Sequence, residues 1–205
     1  MRKVLGFFGA FNPPTLAHIE LAHFAQDKTG REGVVFVPSK SAYIRSSQQK
    51  DFAYSDEQRL LMLETIANTR PWMQVTDIEI RADHQPRTYE TLAALRNKGI
   101  TASLLLGSDK LPELENGWRH VREICKEFGI VCMTRGKDAC KDMISSSPFL
   151  SSLSSHIEVI ETPESYRDIS SSLVRKMVRE QEDSTNLPVP PEIRGMVLEG
   201  MRDLP

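Results

Sequence analysis

Short apolar runs alternate with stretches of helical periodicity along this chain. Lys3–Phe8 (KVLGFF), Gly33–Val37 (GVVFV), Thr101–Leu106 (TASLLL), Phe128–Met133 (FGIVCM) and Ile157–Ile160 have the length and apolar continuity of buried strands, and Val75–Ile80 is expected to add another. Between the first two, Leu16, Ile19, Leu21, Ala22 and Ala25 recur at helical spacing, so a helix is expected over Leu16–Gln26. Further helices are expected over Ser55–Ala67, with a good N-cap and an acidic first turn, and over Thr88–Asn97 and Gly117–Lys126. Two more are expected from Ser170 to about Arg179 and from Pro190 to about Met201. Ser39–Phe52 is polar, aperiodic and basic and reads as a mobile loop; Ser145–Ser155 reads as a solvated connection.

Strands that alternate with helices imply α/β architecture, a doubly wound parallel sheet with helices on both faces. The length of 205 residues fits one domain, with a sheet core over residues 1–165 and a small C-terminal helical extension over 166–205. Such sheets bind ligands outside the C-terminal ends of their strands, which directs attention to the residues just after Phe8, Val37, Ile80 and Leu106.

Composition narrows the partners. A net charge of -2 argues against a broad nucleic-acid-binding face, so any phosphate site must be local. No run approaches the roughly 20 apolar residues of a membrane span, and Val4–Phe8 is too short for a secretory signal, so a cytoplasmic protein that binds neither membrane nor nucleic acid is expected. Cys125, Cys132 and Cys140 form an odd set with neither a C-x-x-C pair nor a histidine at ligand spacing; neither a disulfide framework nor a protein-held metal is indicated. A homo-oligomer is left open.

Candidate chemistry gathers after the first strand. Gly9 and Ala10 are small enough to let a ligand approach the backbone, and the following helix N-terminus offers N–H groups and the positive end of a dipole. Thr15 and His18 share the first helical turn and together offer two donors to phosphate oxygens; taken alone they read equally as an N-cap and a partly buried polar residue. Ile169–Arg175 (ISSSLVR) is a second serine-capped helix start with an arginine one turn in, which by itself reads as a cap with a surface charge.

Taken together these segments resemble a known family. GAFNPPTLAH is similar to the signature of the nucleotidyltransferases related to class I tRNA synthetases, Gly-x-Phe-(Asp/Asn)-Pro followed by (His/Thr)-x-x-His, and ISSSLVR is similar to their Ile-Ser-Ser-Thr-x-x-Arg. The pair resembles in particular the nicotinate or nicotinamide mononucleotide adenylyltransferases. Pro38 with Arg45, Glu90-Thr91, Gly107-Ser108-Asp109 followed by Trp118, and the closing NLPVPPEIRGMV extend the likeness over nearly the whole chain. Phe8, Thr15, Ala17 and Arg45 depart from the common bacterial pattern; Thr15, the non-glycine at position 17, Asn12 and WRHVREICKEFGIVCMTR resemble the eukaryotic branch.

The resemblance implies a Rossmann-like fold and transfer of AMP from ATP, with Mg²⁺ carried by the nucleotide, to a pyridine mononucleotide. It implies that His18, Thr15, Arg175 and Arg45 act on the phosphates, and that Gly9, Ala10, Phe11, Asn12, Gly107, Asp109, Ile169, Ser170 and Ser171 hold the nucleotide. Ser39, Thr88, Tyr89 and Trp118 are implied on the acceptor side. Two alternatives remain at this point: a related transferase of the pantetheine-phosphate adenylyltransferase or cytidylyltransferase type, and a nucleotide-binding module without turnover.

Overall fold

A computed structural model describes residues 2–46, 52–134, 140–166, 168–181 and 184–202. Six strands, β1 (Arg2–Gly9), β2 (Val34–Pro38), β3 (Met73–Val75), β4 (Ile100–Gly107), β5 (Ile130–Met133) and β6 (Ile157–Ile160), form one sheet in the order β3-β2-β1-β4-β5-β6. Every neighbouring pair is parallel. The strand order reverses between β1 and β4, and a crevice opens at such a switch point beyond the strand ends, here Gly9 and Gly107.

The helices are α1 (Leu16–Thr29), α2 (Ser41–Ser46), α3 (Asp56–Ala67), α4 (Ile78–Arg81), α5 (Thr88–Asn97), α6 (Leu111–Asn116), α7 (Val121–Glu127), α8 (Cys140–Ser146), α9 (Pro148–Ser151), α10 (Ser171–Arg179) and α11 (Arg194–Arg202). Because successive strand residues point to opposite faces, the two sides of the sheet bury different sets. Leu5, Phe36, Leu105 and Val131 pack with Ile19 and Ala22 of α1, Met62 and Ile66 of α3, Val174 of α10 and Val197 of α11. Val4, Val35, Leu104 and Cys132 pack with Leu92 of α5, Leu114 of α6, Ile124 of α7 and Ile144 of α8. The doubly wound parallel architecture read from the alternation is therefore what forms.

Local chemistry sets the element ends. Thr15 caps α1, and Gly30 closes it in the left-handed region (φ 62), where its N–H reaches back to the last turn. Ser55 and Gln58 make a reciprocal capping box at α3.

Four expectations need correction. The strand expected over Val75–Ile80 stops at Val75, and the chain turns into α4, whose single turn is held by the Asp77–Arg81 ion pair. Residues after Ile80 therefore do not continue a strand. The helix expected over Gly117–Lys126 begins only at Val121, because Gly117 ends α6 and His120 sits in the left-handed region (φ 60). Within Ser145–Ser155, Ser147 caps α9 and both Leu150 and Leu153 are buried, so the serines stud a packed segment and not a solvated one. In Ser39–Phe52, residues 41–46 form α2 with Ile44 buried, while residues 47–51 lie outside the described residues.

Candidate active site

A cleft of about 370 Å³ opens at the switch point, walled by the ends of β1, β4 and β5 and by the starts of α1 and α10. Thr15, His18, Gly107, Asp109, Trp118, Ile169, Ser170 and Ser171 all line it. The two distant motifs meet directly as well: Ser171 Oγ donates to the Pro13 carbonyl at 2.8 Å, and Arg175 Nη1 to the Asn12 carbonyl at 2.7 Å.

The Thr15–His18 pair is a capping box with a histidine in the place usually taken by Glu or Gln. The Thr15 N–H donates to His18 Nδ1 at 3.1 Å, which makes Nδ1 an acceptor and puts the proton of the neutral ring on Nε2. Thr15 Oγ1 lies 2.7 Å from the same Nδ1 and accepts from the His18 N–H at 3.4 Å. The ring is further fixed by an edge contact with Phe11, centroids 5.2 Å apart. The two-donor expectation is thus corrected: Thr15 is wholly buried with its hydroxyl engaged inside the box, and His18 alone presents a side-chain donor on the cleft side of this turn.

The turn Gly9–Asn12 stands behind the cleft wall, and its side chains are engaged within the protein. None of its four residues lines the cleft. A Cβ on Gly9 would lie 3.2 Å from Phe11 Cζ, so the glycine makes room for Phe11, which sits at φ 43 and is buried. The Asn12 amide is spent on Phe52 and Tyr54: Nδ2 donates to the Phe52 carbonyl at 2.8 Å and Oδ1 accepts the Tyr54 N–H at 2.9 Å. The Ser39 N–H and hydroxyl both donate to the Gly9 carbonyl, at 3.0 and 3.2 Å. These residues shape the turn.

On the opposite wall, Ser170 caps α10 by accepting from the Leu173 N–H, and the helix start leaves first-turn N–H groups without intrahelical acceptors. Arg175 is not in the cleft wall; its second nitrogen donates to Ser172 Oγ at 3.1 Å, so the guanidinium braces α10 against residue 12. A Cβ on Gly107 would fall 2.5 Å from Asp109 Oδ1; the glycine allows that carboxylate to fold back over the strand end. Trp118 lines the cleft and rests on the second core. Tyr89 does not: its hydroxyl donates to Glu127 Oε1 at 3.1 Å and its ring contacts Phe128 and His120. Thr88 opens α5 outside the cleft wall, and Arg45 is exposed at the end of α2.

Several site features escaped sequence reasoning. Lys110, ion-paired with Glu113 at 2.7 Å, and Tyr166 both line the cleft; only the position of Lys110 directly after Gly107-Ser108-Asp109 signalled it. Arg59 is fully buried beneath the site, donating to the carbonyls of Ala10 (2.8 Å) and Ser39 (2.5 Å) and to Asp56 (2.6 Å). Burial pulls its pKa below the ordinary arginine value and Asp56 opposes that pull. Its signal was legible: Arg59, Met62, Leu63 and Ile66 keep the spacing of a buried stripe, with Asp56 one turn earlier. Glu79 is also buried, accepting from Thr91 Oγ1 at 2.9 Å and from Gln85 Nε2, and burial pushes its carboxyl up to about 7.

A sheet with this order, and a cleft built where two helix N-termini converge on its switch point, define a nucleotide-binding α/β protein. The cytidylyltransferase-like family model matches residues 7–177, and the chain belongs to that family. It is 30% identical over 193 residues to the nicotinamide/nicotinic acid mononucleotide adenylyltransferase of Oryza sativa subsp. japonica, covering 86% of this chain and 76% of that one. A probable nicotinate-nucleotide adenylyltransferase from Carboxydothermus hydrogenoformans is 29% identical, with 93% and 92% covered. Among solved structures, the Plasmodium falciparum nicotinic acid mononucleotide adenylyltransferase complexed with NaAD superposes with a TM-score of 0.72 at 17% identity, over 98% of this chain and 95% of that one, a likeness of fold. Within its class, then, the chain is a member of the nicotinamide/nicotinic acid mononucleotide adenylyltransferase family.

Proposed function

We propose that the protein transfers the adenylyl group of ATP to nicotinate or nicotinamide mononucleotide, giving deamido-NAD or NAD and pyrophosphate. The observation that carries this reading is the convergence of residues 15–18 and 169–172 on one cleft, with His18 held by Thr15 so that Nε2 bears the proton. Family membership supports it. The acceptor's phosphate has a second pKa of about 6 and is largely dianionic near neutrality, so it attacks the α-phosphorus without a protein nucleophile. Its new P–O bond forms as the bond to pyrophosphate breaks, and the protein's task is alignment and charge stabilisation.

In this reading the His18 Nε2–H and the first-turn N–H groups of α10 hold phosphate oxygens where charge accumulates in the transition state. Asp109 and Gly107 hold a ribose, and Trp118 gives the pyridine ring a flat apolar contact. Arg45 supplies a cation from α2. Arg175 acts from behind the wall, fixing α10 to the first turn and adding a positive charge. Among the described residues no cluster of His, Cys, Asp or Glu suits a protein-held metal, and Asp109 is the single carboxylate of the cleft wall. That donor set fits a Mg²⁺ held chiefly by the triphosphate oxygens and water, where the ion would supply charge neutralisation.

The test is incubation with ATP, Mg²⁺ and, separately, nicotinate mononucleotide, nicotinamide mononucleotide and phosphopantetheine, following pyrophosphate and the joined product. Dinucleotide from a pyridine mononucleotide is expected; turnover of phosphopantetheine alone, or nucleotide binding without product, sinks the reading.

A further inference from the structure

Glu79 is an expensive residue to keep where it is. Only 3% of its surface is exposed, and among the described residues its carboxylate has no ion-pair partner; its two recorded hydrogen-bond partners are the neutral Thr91 and Gln85 side chains. Burying a carboxylate without a counter-ion costs several kcal/mol, on the order expected for imperfectly paired interior charges. An apolar side chain would fill the space more cheaply, so the two hydrogen bonds must hold something in place.

What they hold is a bridge between two elements at one edge of the sheet. Because Gln85 Nε2 is committed to Glu79, its Oε1 is oriented to accept the Lys40 N–H, at 2.9 Å. Lys40 returns the contact, its Nζ donating to the Ile80 and Ala82 carbonyls at 2.6 and 2.5 Å. Residue 40 follows Ser39, which is fastened to the Gly9 carbonyl, and precedes α2, whose Ser41 N–H donates to Asp56 at 2.6 Å. At the other end, Thr91 lies on α5 one turn after Thr88. α5 runs back antiparallel to the strand it feeds, so its N-terminus stands at the same strand-end edge as the start of α2. The spacing of these two helix starts is therefore set by one buried carboxylate.

We propose that Glu79 is a positioning residue for the acceptor side of the reaction, acting through Gln85 on the chain entering α2 and through Thr91 on the start of α5. This rests on the proposed adenylyl transfer, with Ser39 and Thr88 on the acceptor side as the resemblance implies. The start of α10 is not tied to this network by any of these bonds, and α1 meets it only through the Ser39 bonds to the Gly9 carbonyl ahead of its turn.

The test uses Gln85→Ala, which cuts the bridge at a half-buried loop residue, and Glu79→Leu, which fills the space but removes both acceptors. Both are measured for the KM of each substrate, for kcat, for thermal midpoint, and for binding of nicotinate mononucleotide alone by quenching of tryptophan fluorescence. We expect the acceptor's KM and its dissociation constant to rise roughly tenfold, the loss of one hydrogen bond to a charged group, with the KM for ATP unchanged. Unchanged acceptor binding in both variants overturns the proposal, as does a fall in thermal midpoint with both KM values intact. A wild-type protein that neither binds nor turns over a pyridine mononucleotide overturns the proposed function and this inference together; a wild-type that does both while Gln85→Ala behaves identically overturns the inference alone.

Discussion

Thr15→Val removes one hydroxyl of a fully buried side chain while keeping its volume, and it separates two roles for that hydroxyl. In the structure Oγ1 touches only the helix it caps, accepting from the His18 N–H and lying 2.7 Å from His18 Nδ1. Loss of an N-cap costs typically about 1 kcal/mol of stability. The catalytic cost follows from what remains of the ring's tether: the Thr15 N–H still donates to Nδ1 at 3.1 Å, so His18 keeps its tautomer but loses one of two restraints. Removing an oxyanion-type donor altogether costs about 2.7–4 kcal/mol, so His18→Ala is expected to lower kcat/KM at least about 100-fold. Loosening the same donor should cost less than half of that, roughly tenfold for Thr15→Val. The decisive assay is the double mutant. If Thr15 works only through His18, Thr15→Val costs nothing further in kcat/KM once His18 is alanine, and the two losses are strongly non-additive. Full additivity would mean that the hydroxyl touches substrate directly, and the reasoning from the capping box would fail.

Three further outcomes are expected. Gly107→Ala places a methyl group 2.5 Å from Asp109 Oδ1, so the carboxylate must swing away; nucleotide binding measured by calorimetry should weaken while the thermal midpoint holds, and unchanged affinity would exclude a binding role for Asp109. Gly200→Ala gains up to about 1 kcal/mol of helix propensity but drives its Cβ to 2.6 Å from Tyr54 Cε1; the overpacking cost of roughly 1–3 kcal/mol should win, lowering the urea midpoint. A midpoint that rises would mean that α11 shifts freely. Glu79, raised from 4.5 to about 7, binds its proton more tightly folded than unfolded. Its contribution to stability is therefore fully present below pH 4.5 and lost as pH rises through 7, on the order of 3 kcal/mol across the window. Chemical denaturation of wild type against Glu79→Gln between pH 5 and pH 8 should show that slope in the first and not the second.

Much of this architecture was legible because period and punctuation agreed. The runs VLGFF and LLL in β1 and β4 are apolar because both faces of these strands are covered, and Thr88–Asn97 was readable to the residue because Thr91, Leu92 and Leu95 mark one buried stripe. Where the reading failed, a local rule met a tertiary fact. Val75–Ile80 is rich in β-branched residues, yet the β2–β3 pairing ends at Val75 and the residues after it turn into α4. In the site, His18 and the 169–171 segment were visible as motif residues, whereas the internal contacts of Gly9, Asn12 and Ser39 were not. Their small or polar side chains fit a ligand and an internal tether equally well, and only coordinates show that Phe11, Tyr54 and the Gly9 carbonyl already use them. Arg59 was overlooked because a charge is presumed to face water, although its place in the α3 stripe argued otherwise.

The way residues 187–201 are buried makes them a structural part of the sheet's cover. Leu187, Val189, Ile193, Val197 and Met201 lie in the same apolar layer as Leu5 and Phe36, and the Pro188 carbonyl receives the N–H of Leu16, the first residue of α1. A chain cut after β6 would keep the six described strands and the α1 and α3 cover of that face, but would lose the apolar side chains of α10 and α11 and the Pro188 acceptor at the start of α1. Proteolytic removal of residues 187–201 should therefore expose apolar surface over Leu5 and Phe36 and loosen the helix start that carries His18.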